Sequence, residues 1–171
     1  MGRRRLERNH PNNISSVHNL ASVLARRGQY EQAEVMHRRA FEWQENVLGP
    51  DHPDTLCSIS SLGVVLYHQG QYEEAGAMYR RALEGEEKVL GPDHPDTVDS
   101  ANTITLALDR QGQYEEAAAM YRRALEGRER VLGPDHPGTL ISVYNLAIAL
   151  GRQGKYEMAV TMYRRATDEG P

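Results

Sequence analysis

Histidine is the residue type in this sequence most suggestive of chemistry, because it recurs at a fixed spacing. His52, His94 and His136 each lie in an Asp-His-Pro tripeptide, 42 residues apart, and His10 lies in Asn-His-Pro. A metal site needs several ligands within about 2 Å of one ion, whereas equivalent loops of neighbouring repeats are expected roughly 8–10 Å apart. We therefore interpret these histidines as loop residues that fix where helices begin and end, and we predict no metal and no cofactor.

The other reactive residue types do not form a catalytic arrangement either. Cys57 and His68 are eleven residues apart on one predicted helix, hence about 16 Å apart along its axis, too far for a nucleophile and its base. Gly154-Lys155 is followed by tyrosine and lacks the phosphate-loop pattern. No serine lies in a Gly-x-Ser-x-Gly sequence. The sequence thus predicts a protein that is not an enzyme.

Arginine doublets recur at one position of the repeat and could form a basic ladder that binds a nucleic-acid backbone. They are Arg38-Arg39, Arg80-Arg81, Arg122-Arg123 and Arg164-Arg165. Acidic residues precede each doublet by about two helical turns, and Glu84 and Glu126 follow by three or four residues, which favours local ion pairs. No aromatic stacking platform accompanies the arginines. We predict a solvated surface and no nucleic-acid partner.

Composition suits a soluble, mostly helical protein. Over 171 residues the net charge is −4, which argues against a polyanion as the main partner. No apolar run approaches membrane-spanning length and no signal peptide is visible, so we expect no membrane partner. The single cysteine, Cys57, cannot form an internal disulfide, so a reducing, cytoplasmic setting is the simplest expectation.

The elements that position these residues are set by a 42-residue repeat: Gly70 to Leu83 returns almost unchanged at Gly112 to Leu125. In each repeat apolar or small residues recur at helical spacing, starting from Ile14, Leu56, Val98 and Leu140, and so predict the buried stripe of a first helix. In the first repeat the residues that follow Ile14 in this stripe are Val17, Leu20, Ala21 and Leu24. That helix ends near a glycine, and a second helix begins within two residues at a tyrosine and runs to Gly-Pro. The lengths predicted are about 15 and about 19 residues, with Asp96 or Thr97 as candidate N-cap.

No isolated helix pair could bury its apolar stripe, so neighbouring pairs must stack. We predict an all-α, right-handed α-solenoid of stacked antiparallel helix pairs. Residues 1–171 would form a single array, with repeats at about 12–53, 54–95, 96–137 and 138–171. Residues 1–11 read as the remnant of a preceding repeat or loop, and both ends look cut.

The phased residues Gly63, Ala75, Tyr79 and Ala82 resemble the signature of the tetratricopeptide repeat. The usual repeat has 34 residues and a proline where this chain has Glu87. Together with Leu-Gly-Pro-Asp-His-Pro-Asp-Thr, the longer unit is similar to the 42-residue variety in kinesin light chains. Similar arrays form the C-terminal sensor halves of nucleotide-binding immune-type regulators in fungi and bacteria. The resemblance implies a superhelical, non-catalytic interaction scaffold whose first helices line a concave groove.

The residues of the first helices that would face this groove differ between repeats, whereas the second helices are nearly copied. We predict a protein or peptide partner with apolar and acidic side chains, the latter facing Arg26, His68, Arg110 and Arg152. The predicted partner-binding residues are His18, Ser22, Arg26, Ser60, Val64, Tyr67, His68, Asn102, Leu106, Arg110, Tyr144, Ile148 and Arg152.

Three interpretations of function stay open from the sequence. The first is a non-catalytic scaffold that binds a peptide or protein segment in the concave groove. The second is a sensor or regulatory segment of a larger nucleotide-dependent switch of the NB-ARC or NACHT type. The third is a structural module that self-associates through uncapped repeat ends. A solvated rim that binds no ligand in this segment is the rival to the first interpretation. We also expect Thr105, a hydroxyl at a core position, to bond back to the carbonyl of Ala101.

Overall fold

The protein is described by a computed structural model that covers residues 11–167. These residues form eight α-helices, which we number α1 Pro11–Arg26, α2 Tyr30–Leu48, α3 Pro53–His68, α4 Tyr72–Val89, α5 Pro95–Arg110, α6 Tyr114–Leu132, α7 Pro137–Arg152 and α8 Tyr156–Thr167. The odd-numbered first helices have 16 residues each. The second helices α2, α4 and α6 have 18 or 19 residues. The prediction of an all-α fold built from helix pairs is confirmed.

The helices fall into two compact units, one ending at Gly85 and the other beginning at Glu86. The first unit contains α1, α2, α3 and most of α4, and the second contains the last turn of α4 and helices α5 to α8. Within each unit, helices that are consecutive in the chain pack against each other. This local pairing follows from the short turns, because a short connection places each helix beside the next helix of the chain.

Helices α3, α5 and α7 each begin at a proline, and the preceding histidine is the N-cap. His94 has extended backbone angles (φ −67°, ψ 139°), and its Nδ1 accepts a hydrogen bond from the Asp96 N–H at 3.3 Å. Pro95 is the first helical residue, a position where the missing N–H costs no hydrogen bond. The prediction of Asp96 or Thr97 as N-cap is therefore wrong, because proline already has helical geometry and moves the cap back to histidine.

Each first helix ends in a Schellman motif. In α1 the Gly28 N–H donates to the Ala25 carbonyl and the Gln29 N–H donates to the Leu24 carbonyl, both at 2.9 Å. Gly28 has φ +75°, a left-handed conformation that glycine adopts without a Cβ penalty. The motif reverses the chain within a few residues and starts the second helix at Tyr30, as the sequence predicts.

Most of the predicted apolar stripe of the first helices is buried in the core, but Leu20 is exposed. Leu56, Ile59, Leu62 and Leu66 of α3 are at most 4 % exposed, whereas Leu20 of α1 is 48 % exposed. Leu62, the equivalent of Leu20, is buried because α3 packs between α2 and α4. Among the described residues no helix precedes α1, so the outer side of α1 has no neighbouring helix of the kind that covers Leu62. The prediction that Leu20 is a core residue is therefore wrong.

Four ion pairs of the arginine doublets join different second helices. Arg81 of α4 pairs with Glu45 of α2, and Arg38 pairs with Glu74 at 2.6 Å. In the second unit Arg123 pairs with Glu87, and Arg165 with Glu129. The prediction of local pairs holds for Arg38 and Glu34 (2.8 Å) but misses this second arrangement. The arginines are about a third to half exposed, so each pair contributes at most about 1 kcal/mol.

Thr105 is fully buried at its core position, and its hydroxyl bonds back to its own helix. It donates to the carbonyl of Asn102, three residues before it, and not to that of Ala101 as predicted. Both carbonyls lie within reach of a helical threonine, so the prediction identified the type of bond but not the acceptor.

Candidate functional site

The predicted groove residues of the first unit all lie on the surface of α1 and α3. The two helices are adjacent at this face, since Ser58 Oγ lies 3.4 Å from His18 Nδ1. Arg26, Val64 and His68 are exposed and the other side chains are half-buried, so none of the set belongs to the core. The residues concerned are His18, Ser22 and Arg26 of α1 and Ser60, Val64, Tyr67 and His68 of α3.

Aromatic rings gather where this face meets the turns. The His68 ring stacks on Tyr30 of α2, with centroids 5.1 Å apart and an interplanar angle of 8°. Tyr67 packs edge-on against His68 at 5.7 Å and against Tyr72 of α4 at 5.3 Å. His68 is thus held between tyrosine rings. Its contribution to a row of positive groups stays a prediction.

The face of the second unit is more apolar. Leu106 of α5 is 49 % exposed, and Ile141 and Tyr144 of α7 are 57 % and 50 % exposed. Ile148 continues the row and is half-buried. Positions 141, 144 and 148 are three and four residues apart, so they share one face of α7. Such a contiguous apolar patch is typical of an interaction site.

The charged end of this face is partly neutralised within the unit. The Arg152 guanidinium of α7 pairs with the Asp109 carboxylate of α5, which also shows that the two helices are adjacent here. Arg110 lies exposed at the end of α5. The Asn102 amide donates to the Val98 carbonyl of its own helix at 3.0 Å. To pair with Arg152, an acidic group of a partner would have to displace the Asp109 carboxylate.

One position of the second helices was not predicted from the sequence as part of the site, although its side chains lie against residues of the first helices. Gln44, Glu86 and Arg128 are equivalent residues of successive repeats. Gln44 lines a pocket with Ser58, Glu86 bonds Ser100, and Arg128 bonds Ser142 at 2.8 Å. A signal was present, because this position changes from amide to acid to base within helices that are otherwise nearly copied.

Arg128 is a largely buried charged residue that bridges helices in the second unit. Its guanidinium donates to the Gly138 carbonyl and to Ser142 Oγ, both at 2.8 Å, and pairs with Asp99 of α5. The side chain is 14 % exposed. It therefore ties α5 and α7 together from α6. At the equivalent position, burial raises the pKa of the Glu86 carboxyl, although the Ser100 hydrogen bond opposes that effect.

Two histidines meet inside the first unit. The rings of His18 and His37 lie 5.1 Å apart at a steep angle of 73°. His37 is 1 % exposed, and burial, with a smaller contribution from His18, lowers its pKa to about 4. Burial also lowers the pKa of His18, against the Asp54 carboxylate, which raises it. Both imidazoles are therefore neutral at pH 7.

The part of the chain that the structure describes contains neither a metal-binding cluster nor a helix that could span a membrane. Within residues 11–167, no three histidine, cysteine, aspartate or glutamate side chains come together in a way that could hold a metal ion. None of the eight helices described above combines the length and the apolar character needed to cross a bilayer.

Comparison with known proteins identifies the repeat. The tetratricopeptide repeat family matches residues 13–85, 54–130 and 110–168, which together span nearly all of the described helices. A search of curated proteins found no match.

Solved structures agree with this assignment. The crystal structure of nearly identical TPR-like repeats from a protein assigned as a kinesin light chain of Podosopora anserina is 25% identical, with a TM-score of 0.87. The match covers 94% of this chain and 76% of that chain. BtubC (BKLC) from P. vanneervenii is 18% identical with a TM-score of 0.83, over 91% of this chain and 62% of its own. The apo form of RapI is 17% identical with a TM-score of 0.76, over 90% and 54%. The predicted resemblance and fold class are confirmed.

Proposed function

Since this chain belongs to the tetratricopeptide repeat family, we propose that it is a non-catalytic scaffold that binds a peptide or protein segment on its first helices. The binding faces are those of α1 and α3 in one unit and of α5 and α7 in the other. Tetratricopeptide repeats generally act as protein-interaction scaffolds, which supports the class of function. We further propose one array over residues 1–171 with the repeat boundaries given above, acting in the cytoplasm.

The observation that carries this proposal is the apolar patch of the second unit. Leu106, Ile141 and Tyr144 are each about half exposed, although they lie on helices whose opposite sides are buried. Single exposed apolar residues are normal, but a contiguous group on adjacent helices is typical of a surface that another protein covers. Tyrosine is also among the residues that contribute most to binding energy at interfaces.

A crosslinking experiment tests where the partner lies. A photo-reactive phenylalanine analogue replaces Ile148 on α7 in one variant and Arg122, an exposed residue of α6, in a matched control. We expect discrete crosslinked species from position 148 and none from position 122. Adducts from position 122 alone would place the binding surface on the second helices and contradict the proposal.

The acidic character of the partner rests on the charged ends of α5 and α7. In the double variant Arg110→Glu and Arg152→Glu, an acidic segment would meet two negative groups in place of two positive ones. We expect the partner identified by crosslinking at position 148 to bind this variant more weakly at low salt, with a smaller difference at high salt, because salt screens exposed charges. Unchanged binding at both salt concentrations would remove the acidic requirement and leave the apolar one.

Self-association is a second candidate, favoured by one specific observation. Leu20 and Val23 of α1 are 48 % and 53 % exposed, whereas their equivalents in α3, Leu62 and Val65, are both 1 % exposed. On α8, Val160 is 45 % exposed, whereas its equivalent Ala118 is fully buried. A second copy could cover these side chains by head-to-tail stacking. Light scattering against concentration tests this, since a strictly monomeric protein at high concentration would exclude it.

A further inference from the structure

The ends of α2, α4 and α6 each carry a valine-leucine pair that the fold leaves about half exposed. In the second unit Val89 and Leu90 are 47 % and 41 % exposed, and Val131 and Leu132 are 51 % and 42 % exposed. The equivalent pair of the first unit, Val47 and Leu48, is 58 % and 38 % exposed. The exposed residue just before each pair changes between repeats: Asn46, Lys88 and Arg130. The pair thus stays aliphatic at a surface where its neighbour varies.

The two pairs of the second unit lie at adjacent helix ends. Asp93, in the loop after α4, pairs with Arg130 near the end of α6, and Arg130 Nε lies 3.2 Å from Asp93 Oδ2. Glu87 of α4 also pairs with Arg123 of α6, at 2.6 Å. These contacts bring four exposed aliphatic side chains to one edge of the unit. We call this surface the aliphatic ledge: Val89, Leu90, Val131 and Leu132.

An apolar pocket lies in this ledge, with a volume of about 200 Å³. A cavity of about 150 Å³ admits a benzene molecule, so this pocket has room for one branched aliphatic side chain. Its apolar wall is formed by Pro95 and Val98 of α5, by Gly127, Val131 and Leu132 of α6, and by Gly138 of α7.

Short side chains at two positions of this repeat contribute to the space. Val98 is equivalent to Leu56 of α3, whose longer side chain reaches so close to Gly85 that a Cβ there would overlap Leu56 Cδ2. Gly138 stands where the two preceding repeats have aspartate. The pocket is therefore a property of the second unit's own sequence and not of the repeat in general.

The charged residues of the pocket wall already have partners within the unit. Arg128 donates to the Gly138 carbonyl at 2.8 Å and pairs with Asp99. Asp93 pairs with Arg130. A charged ligand would have to compete with these ion pairs, whereas an aliphatic group could enter without breaking them. The pocket is thus suited to an aliphatic side chain.

We propose that a second copy of this chain covers the ledge, in a two-fold contact in which Leu90 of each copy enters the pocket of the other. A two-fold contact uses the same patch on both copies, so the patch must be complementary to itself. The ledge meets this condition, because it carries both an exposed leucine and a pocket of the size that a leucine needs. Val131 and Leu132 form the pocket wall, which leaves Leu90 as the longest ledge side chain outside it.

The contact is small, so we expect a weak dimer that forms only at high protein concentration. It uses none of the predicted partner-binding residues of the first helices, and it is separate from head-to-tail stacking through α1 and α8. The proposal therefore goes beyond the scaffold function and does not depend on it.

The first experiment measures self-association of the full chain by analytical ultracentrifugation, from micromolar to millimolar concentration. We expect a reversible monomer–dimer equilibrium. Leu90→Ala removes the inserted side chain, and Val98→Leu fills the pocket with the residue found in α3. Each should weaken dimerisation by at least about tenfold, the effect of losing one hot spot. Leu48→Ala, at the equivalent position of the first unit, is the matched control and should leave dimerisation unchanged.

The second experiment locates the contact by NMR in an equimolar mixture of ¹³C-labelled and unlabelled chains. Isotope-filtered spectra then report only contacts between copies. We expect intermolecular contacts between the methyl groups of Leu90 and those of Val98 or Leu132. Their absence at a concentration where the dimer is populated would overturn the proposal. Circular dichroism and urea unfolding confirm that each variant folds.

The possible failures are distinguishable. A dimer that Leu90→Ala leaves intact and Leu20→Asp dissociates would be a head-to-tail dimer and would overturn the ledge contact. A chain that stays monomeric at millimolar concentration would overturn it as well. If crosslinking at position 148 still captures a partner in that case, the scaffold function stands.

Discussion

Replacing Gly85 by alanine should destabilise the first unit, whereas the same replacement at Gly127 should not destabilise the second. The two glycines are equivalent residues inside α4 and α6, and both are buried. In a helix interior, alanine is favoured over glycine by roughly 0.5–1 kcal/mol. The difference between the two sites therefore depends on what the added methyl group meets.

At Gly85 a Cβ would overlap Leu56 Cδ2 and would lie 3.2 Å from Cδ1 and 3.3 Å from Cγ of the same side chain. Leu56 is 4 % exposed and packs with Ile59, Ala82 and their neighbours, so it has little room to move. Overpacking of this kind typically costs about 1–3 kcal/mol. After the helical gain, we expect Gly85→Ala to lose on the order of 1 kcal/mol of unfolding free energy.

At Gly127 the nearest atom to an added Cβ is Val98 Cγ2 at 3.2 Å, followed by Asp93 Oδ1 at 3.4 Å. These contacts are tight but need shifts of only a few tenths of an ångström, so the helical gain should roughly offset them. Urea unfolding followed by circular dichroism measures both variants, with an unchanged m-value as the control for comparable transitions. The reasoning is refuted if Gly85→Ala is as stable as Gly127→Ala.

Three further predictions concern charged and titratable groups. The folded-state pKa of His37, about 4, lies below its unfolded value of 6.5, so stability present above pH 6.5 should be lost as pH falls toward 4. The loss should be on the order of 3 kcal/mol in the wild type and smaller in His37→Leu, as unfolding at several pH values would show. Arg128→Met should lower the free energy of unfolding by roughly 1–3 kcal/mol, which should appear as faster hydrogen exchange in α7. Unchanged exchange would show that Arg128 does not hold the helices together. Arg81→Gln should lower the free energy of unfolding, measured in urea, by less than about 1 kcal/mol. A larger loss would show that the exposed ion pair with Glu45 contributes more to stability than the structure indicates.

Much of the fold could be predicted because the residues that end and begin helices recur in all four repeats, as does the apolar stripe. Glycine after each first helix and tyrosine at the start of each second helix fixed the turns, and the structure places a Schellman motif there. The N-cap was missed because histidine is not among the usual capping residues, whereas its Nδ1 reaches the same N–H that a serine oxygen would.

The errors at Leu20 and the arginine doublets have a shared physical cause. Both depend on which helix lies beside a residue, and helical periodicity describes only the residue's own helix. Leu20 has the spacing of a core residue but lacks a neighbour on its outer side among the described helices. Arg81 has acidic residues near it in sequence, yet it pairs with Glu45 of another helix.

The candidate site could be predicted in part. Variation among the first helices indicated an exposed face, and the half-exposed Leu106 and Tyr144 agree with that expectation. The pocket at Gln44 could not be predicted in this way, because it combines residues of three helices whose relative placement is set by packing. The variation of Gln44, Glu86 and Arg128 was visible in the sequence, but its direction toward the first helices was not.

Affinity for the partner identified by crosslinking at position 148 is the most direct test of the claim that the first helices carry the function. A double variant on the first helices, Leu106→Ser and Tyr144→Ser, is compared by calorimetry with a double variant on α6, Arg122→Ser and Glu126→Ser, all four residues being exposed. The account predicts at least about tenfold weaker binding for the first variant, since a single interface hot spot exceeds 1.4 kcal/mol. It predicts wild-type binding for the second. Equal affinities of the two variants, or a loss confined to the α6 variant, would contradict it.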